Sequence, residues 1–306
     1  MRILVTGGQG FLGKHVCRIL KDRGYEVYDP SHENMDLMNK EFVEWVFKRH
    51  HMDVVVHLAA VVGGIGANQK RPAEFFYQNA SMGIDLMHTA WQFDASKFVA
   101  VGTVCAYPKH TPLPFKEEDL WNGYPEETNA PYGLAKKMLL VQAQAYRQQY
   151  GFNAIYLLPV NLYGPGDNFD PRSSHVIPAL IRKIEEAIQH DDREVNCWGT
   201  GKATREFLYV EDCAKGICDA LEQYDSPEPM NLGTGQEISI GALVELIGEL
   251  MGYKGIFKWD ESKPDGQPAR MLDITRAQEN IDWKPAVGLK EGLKRTIDWW
   301  RTNGSN

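Results

Sequence analysis

The sequence predicts an α/β protein whose larger part is a doubly wound parallel sheet covered by helices on both faces. A short apolar run at residues 2–6 is typical of a buried strand, and a glycine-rich break separates it from a helical stretch. Strand-like and helical segments then continue to alternate as far as residue 158, a pattern typical of parallel strands joined by crossover helices. Beyond about residue 165 proline, glycine and aromatic residues punctuate shorter elements, which indicates a smaller, mixed domain.

The individual elements follow from apolar runs, helical periodicity and breaking residues. We expect strands at residues 2–6, 26–28, 53–58, 97–101 and 154–158, and helices at residues 11–23, 40–50, 75–93 and 132–150. The nominal division is a sheet domain at residues 1–165 and a mainly separate smaller domain at residues 166–306. In a fold of this kind the chain crosses back between the two, so a single boundary is only approximate.

Charge and cysteine content narrow the function classes. The 306 residues carry a formal net charge of −8, so no global basic field would attract nucleic acid or a membrane surface. No apolar run of about 18 residues predicts a membrane span, and the strand-like run directly after Met1 predicts no signal peptide. The five cysteines form no CxxC pair, so we expect no disulfide framework, no metal site and a cytoplasmic location.

A glycine loop lies between the first strand and the first helix. Gly7, Gly10 and Gly13 form a GxxGxxG pattern, in which the first glycine permits a tight turn and the second lets backbone approach a pyrophosphate. The third lets helix and strand pack closely, and the helix N-terminus favours the anion. Incidental glycines in a turn are the alternative, but the strand–turn–helix context favours a dinucleotide site in a Rossmann-like domain.

A tyrosine and a lysine open the helix expected at residues 132–150. Tyr132 and Lys136 are four residues apart, which puts both side chains on one helix face. An ammonium beside a phenol favours the phenolate, so the pair can exchange a proton with a carbonyl or alcohol oxygen. Thr103 follows the fourth strand and could bond the same oxygen. A YxxxK pair alone is common and indicates nothing specific.

Together with the glycine loop, Ala59-Ala60, Asn79 and the PVNLYGP segment at 159–165, this pair resembles the extended short-chain dehydrogenase/reductase family. The resemblance implies that Tyr132 is the proton donor, that Lys136 partners the tyrosine and the nicotinamide ribose, and that Thr103 binds the substrate oxygen. It also implies a larger set of cofactor-binding residues: Gly7, Gly10, Phe11, Leu12, Gly13, Ala59, Ala60, Asn79, Gly102, Thr103, Tyr132, Lys136, Pro159, Asn161, Leu162 and His175.

Cys105 and His175 are the next candidates for chemistry. Taken singly, each suits an ordinary structural role, as apolar filler or as a solvated side chain. Their surroundings, GTVCAYP, SHVIPALIRK, VVGGIGANQK, WGTGKATREFLYVEDCA and the block that begins at Ser262, closely resemble the GDP-L-fucose synthase family. That resemblance implies epimerisation of a GDP-4-keto-6-deoxy-hexose at C3 and C5 and reduction at C4 by NADPH, with Cys105 as the base and His175 as the acid.

The physical logic of that chemistry stands by itself. A 4-keto group acidifies the protons on C3 and C5, and hydrogen bonds from Tyr132 and Thr103 would stabilise the enolate oxygen. Reprotonation from the opposite face needs a second group, and a thiol and an imidazole titrate close enough to neutrality to exchange protons.

The resemblance further implies substrate contacts. They come from Asn161, Lys183, Trp198, Arg205 and Asp273. Lys183 and Arg205 suit a diphosphate that the net charge of the protein would otherwise repel. Lys183 departs from the arginine usual in the family, which keeps the charge but loses bidentate geometry.

The adenosine end of the cofactor site also departs from the family. The resemblance implies NADP(H), but the arginines usual near the 2′-phosphate are absent: the loop carries Gln9, and Asp29-Pro30-Ser31-His32 follows the second strand. Asp29 could bond a free ribose diol, which would favour NAD(H). Lys14 or His32 could serve a phosphate weakly.

Two alternatives to that reading stay open from the sequence. One is the same or reductase-only chemistry on a related GDP-4-keto sugar of the colitose or heptose type, and another is a non-catalytic dinucleotide sensor. The intact set of Tyr132, Lys136, Thr103, Cys105 and His175 argues against a sensor, which has no need of them. By resemblance, the helices expected at 75–93 and 132–150 would pair with a second copy in a four-helix bundle, giving a homodimer.

Overall fold

The computed structural model describes residues 1–263 and 265–304 as a mixed α/β structure with a six-stranded parallel sheet. The strands are β1 (Arg2–Thr6), β2 (Glu26–Tyr28), β3 (Val54–His57), β4 (Lys97–Val101), β5 (Asn153–Pro159), β6 (Asn161–Tyr163), β7 (Glu194–Trp198), β8 (Thr204–Arg205), β9 (Phe207–Tyr209), β10 (Met230–Leu232), β11 (Ile238–Ser239) and β12 (Ile256–Asp260). The helices are α1 (Phe11–Asp22), α2 (Lys40–His50), α3 (Ile65–Lys70), α4 (Pro72–Gln92), α5 (Ala130–Tyr150), α6 (Val176–Gln189), α7 (Val210–Gln223), α8 (Ile240–Met251), α9 (Thr275–Ile281) and α10 (Leu289–Asn303).

The strand order of the large sheet is β10-β5-β4-β3-β1-β2, with every pair parallel. The chain proceeds from β1 outward to β2 on one side and returns to β3 on the other, so the order reverses between β1 and β3. In an open parallel sheet, loops that leave the carboxyl ends of strands on either side of such a point diverge and leave a crevice for a ligand. The glycine loop follows β1 and Ala59-Ala60 follows β3, so both border this crevice.

The expected α/β fold class is confirmed, and most expected elements are present with small shifts at their ends. The helix expected from residue 75 begins earlier, at Pro72, because proline suits the first helical turn, where its missing N–H has no intrahelical partner. The helix expected from residue 132 likewise begins at Ala130, with Pro131 in its first turn. Helix α3 and strand β10 were not predicted, since each is only a few residues long.

Two hydrophobic cores divide the molecule. One surrounds the parallel sheet and also takes in helix α7 and strand β10, which return from beyond residue 165 to cover and extend it. The other lies among α6, α8, α10 and strands β7 and β9. The nominal boundary at residue 165 stays a prediction, and the return of α7 and β10 is the crossing that the sequence led us to expect. In the described part of the chain, no helix combines the length and apolarity that crossing a membrane requires.

Candidate active site

The glycine turn after β1 forms a backbone cradle at the start of helix α1. Gly7 has a φ of +71°, and its carbonyl accepts a hydrogen bond from the Gly10 N–H at 3.0 Å. A Cβ atom at Gly13 would lie 2.0 Å from the Gly7 oxygen, so only glycine lets the helix approach this closely. Gly10 caps α1 without a side chain, which keeps the first N–H groups of the helix open to an anion. The residues present therefore fit a dinucleotide pyrophosphate, and Phe11 and Leu12 stand in the first turn beside it.

The loop after β3 is fixed against the glycine turn. A Cβ atom at Gly7 would lie 2.8 Å from the Ala59 nitrogen, so the two backbones touch there, with Ala60 next in the chain. Asn79 is 1% exposed; its amide oxygen accepts from the Val61 N–H, and its amide nitrogen donates to the Val61 and Phe75 carbonyls. The structure therefore favours an indirect part for Asn79, through the shape of this loop, over direct contact with a cofactor.

Tyr132, Thr103 and Cys105 come together where the end of β4 meets the start of α5. The contact depends on Gly133, because a Cβ atom there would lie 2.3 Å from the Cys105 carbonyl oxygen. Thr103 accepts a hydrogen bond from the Cys105 N–H at 3.2 Å, and its hydroxyl lies near enough to the Tyr132 phenol to act on the pKa of that phenol. Gly102, just before, leaves room for the ring of a buried tyrosine on β5. Tyr132 and Thr103, which were predicted to bond the substrate oxygen, thus lie in one small cluster with Cys105, the predicted base.

The titration of this cluster suits a proton donor. Burial raises the pKa of Tyr132, and the nearby Cys105 raises it further, while the hydrogen bond with Thr103 opposes the rise. The phenol is therefore protonated at neutral pH. Lys136 is 2% exposed, and burial lowers its pKa from 10.5 to about 8, so it still carries a proton at neutral pH. Desolvation and the Lys136 charge together hold the pKa of the buried His57 well below its usual range.

Cys105 also faces a cationic group. The Arg270 guanidinium donates to the Cys105 sulfur at 3.7 Å and to the Asn161 amide oxygen at 3.3 Å. Asn161 in turn donates to the Glu206 carbonyl, so its side chain lies between two protein partners. Asn161 and Leu162 open strand β6, and Pro159 ends β5, all at the carboxyl edge of the sheet.

His175 borders the same region from helix α6. It is the residue directly before α6, and Ser174 beside it packs against Gly64 of the loop after β3. The His175 side chain is solvent-exposed, but enough protein surrounds it for desolvation to lower its pKa. Within the described residues no hydrogen bond joins His175 to the Cys105 cluster, so its role as the acid stays a prediction.

Three of the predicted substrate residues, Lys183, Trp198 and Arg205, present a cation or an open aromatic ring. Trp198 is 58% exposed, and the ammonium groups of Lys183 and Lys263 lie 5.8 and 5.7 Å from its ring centroid. Arg205 is half-buried, donates to the Thr204 and Asp265 carbonyls, and has a pKa that burial first and the Arg270 charge second lower to about 10. These cations and the open indole surface provide the chemistry that a nucleoside diphosphate needs.

Asp273, the remaining predicted substrate residue, lies just before helix α9. Its carboxylate accepts the Thr275 N–H at 2.8 Å, at the start of helix α9, and its backbone carbonyl accepts from Asn231. Burial acts to raise the pKa of Asp273, but hydrogen bonds from Thr275 and the charges of Lys116 and Arg276 outweigh it, so the pKa is lowered. Contact with the sugar stays a prediction for this residue.

A cavity of about 400 Å³ opens at the end of β2, where an adenosine would extend. It is lined by Gln9, Tyr28, Asp29, Pro30, Ser31, Asn34, Phe42, Trp45 and His50, and none of these is Lys or Arg. Asp29 packs against the glycine turn, since a Cβ atom at Gly8 would lie 2.6 Å from its Cβ atom. Lys14, Arg18 and Lys21 line a neighbouring cavity of about 620 Å³ that Asp29 also borders. There Lys21 already pairs with Asp29 at 3.6 Å.

Comparisons with known proteins identify the family of the chain. Residues 3–233 match the model of the NAD dependent epimerase/dehydratase family. GDP-L-fucose synthase 1 of Arabidopsis thaliana is 39% identical over 306 residues, which cover 100% of this chain and 94% of the plant protein. The chain belongs to the GDP-L-fucose synthase family. GDP-L-colitose synthase of Yersinia pseudotuberculosis is 35% identical over 308 residues, with 100% of both proteins covered.

Solved structures also resemble this GDP-L-fucose synthase family member. A GDP-L-fucose synthetase from Naegleria fowleri bound to NADP superimposes with a TM-score of 0.89 at 28% identity, covering 100% of this chain and 95% of that one. A GDP-6-OMe-4-keto-L-xylo-heptose reductase from C. jejuni superimposes with a TM-score of 0.92 at 28% identity, covering 98% and 97%.

Two candidate residues of this family member were missed from the sequence. Lys263 and Arg270 both lie in the block that begins at Ser262, in which the sequence predicted only Asp273 as a site residue. The available signal was the basic character of that block. Residue 264, in the same block, lies outside the described residues.

Proposed function

We propose that this protein converts a GDP-4-keto-6-deoxy-hexose to GDP-L-fucose by epimerisation at C3 and C5 and reduction at C4. The observation that carries the proposal is the single cluster in which Thr103 bonds the Cys105 backbone and lies beside the Tyr132 phenol. A carbonyl oxygen held by the two hydroxyls would have the Cys105 sulfur close by, near the acidified carbons. One site can therefore serve both reactions.

The epimerisation begins with the substrate's C4 oxygen hydrogen-bonded to Tyr132 and Thr103. The Cys105 thiolate takes the proton from C3 or C5, and the electron pair of that C–H bond moves into an enolate that the two hydroxyls stabilise. His175 returns a proton to the opposite face. Because burial lowers the pKa of His175, the imidazolium gives up its proton readily.

The reduction uses the same hydroxyls in a second role. The cradle of Gly7, Gly10 and Gly13 would hold the pyrophosphate of NADPH, and the bound cofactor would supply a hydride to C4. Tyr132, whose raised pKa keeps it protonated, then donates its proton to the C4 oxygen. The Lys136 ammonium stabilises the resulting phenolate electrostatically.

Arg205, Lys183 and Trp198 would hold the GDP part of the substrate. The open Trp198 ring can stack on the base, and the two cations can neutralise the diphosphate. The Arg205 charge lies near the Arg270 guanidinium, and the weaker effects of the Asp265 and Glu126 charges offset that repulsion only in part, so an anionic substrate would relieve it further. The affinity for GDP should therefore fall steeply as salt is added.

The test is solvent deuterium incorporation measured by mass spectrometry of the product. The wild type should place deuterium at C3 and C5 and oxidise NADPH. Cys105→Ser should abolish the deuterium signal, whereas Tyr132→Phe should abolish NADPH oxidation and keep exchange at the two carbons measurable. Absence of deuterium at both carbons in the wild-type product would contradict the epimerase.

We further propose NADP(H) as the cofactor, with NAD(H) tolerated. The support for tolerance is Asp29, whose Cβ atom packs against the glycine turn and whose carboxylate pairs with Lys21; a carboxylate there suits a free ribose diol and would repel a 2′-phosphate. Asp29→Ser should raise kcat/KM for NADPH relative to NADH on the order of tenfold. Asp22→Ser, which removes another acid from the rim of the neighbouring cavity, is the matched control and should change the ratio little. A thousandfold NADPH preference in the wild type would refute the proposal.

We also propose a homodimer through a four-helix bundle of α4 and α5 from two copies. Large apolar side chains are exposed on these two helices: Phe76, Tyr77, Met138, Val141 and Tyr150. Burial against a second copy would remove this surface from water.

The five cysteines are free thiols, which fits the reducing cytoplasm that we propose as the location of this protein.

A second candidate is the same or reductase-only chemistry on a colitose- or heptose-type GDP-4-keto sugar. The observation that favours it is the similarity to a GDP-L-colitose synthase and to a heptose reductase. A screen of 4-keto GDP-sugars that differ at C3 and C6 would separate the candidates. Higher kcat/KM for a 3-deoxy or heptose substrate than for the 6-deoxy-mannose derivative would favour the second.

A further inference from the structure

Arg270 is a buried guanidinium without a carboxylate partner in the described part of the chain. It is 6% exposed, and its Nε and Nη2 atoms donate to the Gln267 amide oxygen at 3.2 and 3.1 Å. Gln267 is itself 3% exposed and is fixed by hydrogen bonds to the Pro108 and Lys109 carbonyls. Arg270 is thus held rigidly by a neutral neighbour that directs it without neutralising its charge.

The remaining nitrogen of Arg270 points toward the active site. Nη1 donates to the Cys105 sulfur at 3.7 Å and to the Asn161 amide oxygen at 3.3 Å. Of the three side chains that accept hydrogen bonds from Arg270, those of Gln267 and Asn161 are neutral amides, and Cys105 alone can become an anion. A buried cation is strongly destabilised unless an anion compensates for its lost hydration. The sulfur is the group in reach that can supply that anion.

We propose that Arg270 is a positioning residue that holds the Cys105 sulfur as a thiolate, aimed for proton abstraction from the sugar. The inference rests on the proposed function, because it assigns a purpose to the thiolate through the epimerisation. When Cys105 takes a proton from the substrate, the sulfur becomes a neutral thiol and the enolate carries the charge. The Arg270 guanidinium stays in place, and it then stabilises the negative charge of the enolate instead of that of the sulfur.

The test is the alkylation of Cys105 by iodoacetamide in the full-length protein as a function of pH. The thiolate is the reacting species. Cys105 is half-buried, whereas the other four cysteines are at most 4% exposed, so labelling should occur at one site and should disappear in Cys105→Ser. Arg270→Gln should lower the alkylation rate at pH 7 about tenfold and move the profile to higher pH. Arg270→Lys, which keeps a charge, should restore most of the rate.

Two further variants distinguish an effect of the Arg270 charge on Cys105 from a general disturbance of the fold. Arg276→Gln removes a guanidinium of the following helix that pairs with Glu118, and it should leave the alkylation profile unchanged. Gln267→Glu is nearly isosteric and gives Arg270 a carboxylate partner, so it should move the profile in the same direction as Arg270→Gln while keeping the arginine. If Arg270→Gln unfolds, the four buried cysteines will also be labelled, and Gln267→Glu then decides the question.

Unchanged profiles in both Arg270→Gln and Gln267→Glu would overturn the proposal. So would a higher KM for the GDP-sugar combined with an unchanged profile, because that result would make Arg270 a substrate-binding residue. The alkylation needs no sugar, so it separates this inference from the proposed function. A wild type that places no deuterium at C3 or C5 refutes the epimerase, whatever the alkylation profile shows. A shifted profile with normal deuterium incorporation in Arg270→Gln refutes only the link to catalysis.

Discussion

Replacing Lys136 by methionine should separate the stability of this protein from its function. Lys136 is 2% exposed, and burial lowers its pKa from 10.5 to about 8. That difference corresponds to about 3 kcal/mol by which burial disfavours the ammonium. Methionine is unbranched and apolar, so it fills much of the same space without a charge. Lys136→Met should therefore raise the free energy of unfolding by up to about 3 kcal/mol at pH 7 while it abolishes C4 reduction.

The pH dependence of this gain has a definite sign. The pKa of Lys136 is lower in the folded state than in the unfolded state, so below pH 8 both states bind the proton and the full destabilisation is present. As pH rises from about 8 toward 10.5, the folded state loses its proton first, and the stability of the wild type rises relative to the variant. Urea unfolding at pH 7 and pH 9.5 should therefore show a large difference between the two proteins at the lower pH and a smaller one at the higher.

Lys137 is the matched control, one residue further along the same helix. Burial also lowers its pKa to about 8, but its ammonium donates to the Leu120 and Ala106 carbonyls and lies 4.0 Å from the Trp121 ring centroid. Lys137→Met loses these interactions, which offset the gain from removing the charge. It should be no more stable than the wild type and should keep its reductase activity. A Lys136→Met variant less stable than Lys137→Met would refute the reasoning.

Three other outcomes are expected. Gly133→Ala should lower both the epimerase and the reductase activity and destabilise the fold by roughly 2 kcal/mol, because its Cβ atom would lie 2.3 Å from the Cys105 carbonyl oxygen. Gly66→Ala is the control: its Cβ atom would meet open space, so enzyme assays and urea unfolding should show no change. The kcat for reduction should fall above pH 8 as Lys136 loses its proton, and a flat profile to pH 9.5 would exclude that dependence. Tyr77→Arg should convert the dimer to monomers in light scattering, whereas the equally exposed Tyr124→Arg, outside the two helices, should not; a monomeric wild type would contradict the four-helix interface.

Local sequence signals were sufficient for the sheet and for the part of the site built on it. The glycine turn, Thr103 and Tyr132 lie at ends of strands or starts of helices, and their chemistry is visible within a few residues of chain. Helix α5 begins at Ala130 rather than at Tyr132 because Pro131 is tolerated in a first turn, a shift that leaves the Tyr132–Lys136 spacing intact. This part of the site could be predicted because local backbone geometry determines it.

The rest depended on long-range packing. Arg270 reaches Cys105 from 165 positions further along the chain, and nothing in the local pattern around it specifies that contact. Strand β10 is only three residues long, yet it completes the large sheet because its pairing with β5 brings a late segment back to the first core. Asn79 is an example in which the local motif is not sufficient. The resemblance implies contact with the cofactor, whereas the side-chain amide of Asn79 hydrogen-bonds to the Val61 and Phe75 backbone in the structure, so cofactor contact stays a prediction.

The same shortage of neutralising acid links catalysis to substrate binding. Arg270 and Arg205 lie close enough for the Arg270 charge to lower the Arg205 pKa, and Asp265 meets Arg205 through its backbone carbonyl while its carboxylate bonds Thr200. The free protein therefore holds two cations whose mutual repulsion Asp265 and Glu126 offset only in part, so a further anion would be stabilising. A thiolate at Cys105 relieves part of that repulsion, and a diphosphate would relieve more. The proposed GDP binding and the proposed Cys105 thiolate would thus have one physical origin, so neutralising either arginine should weaken both.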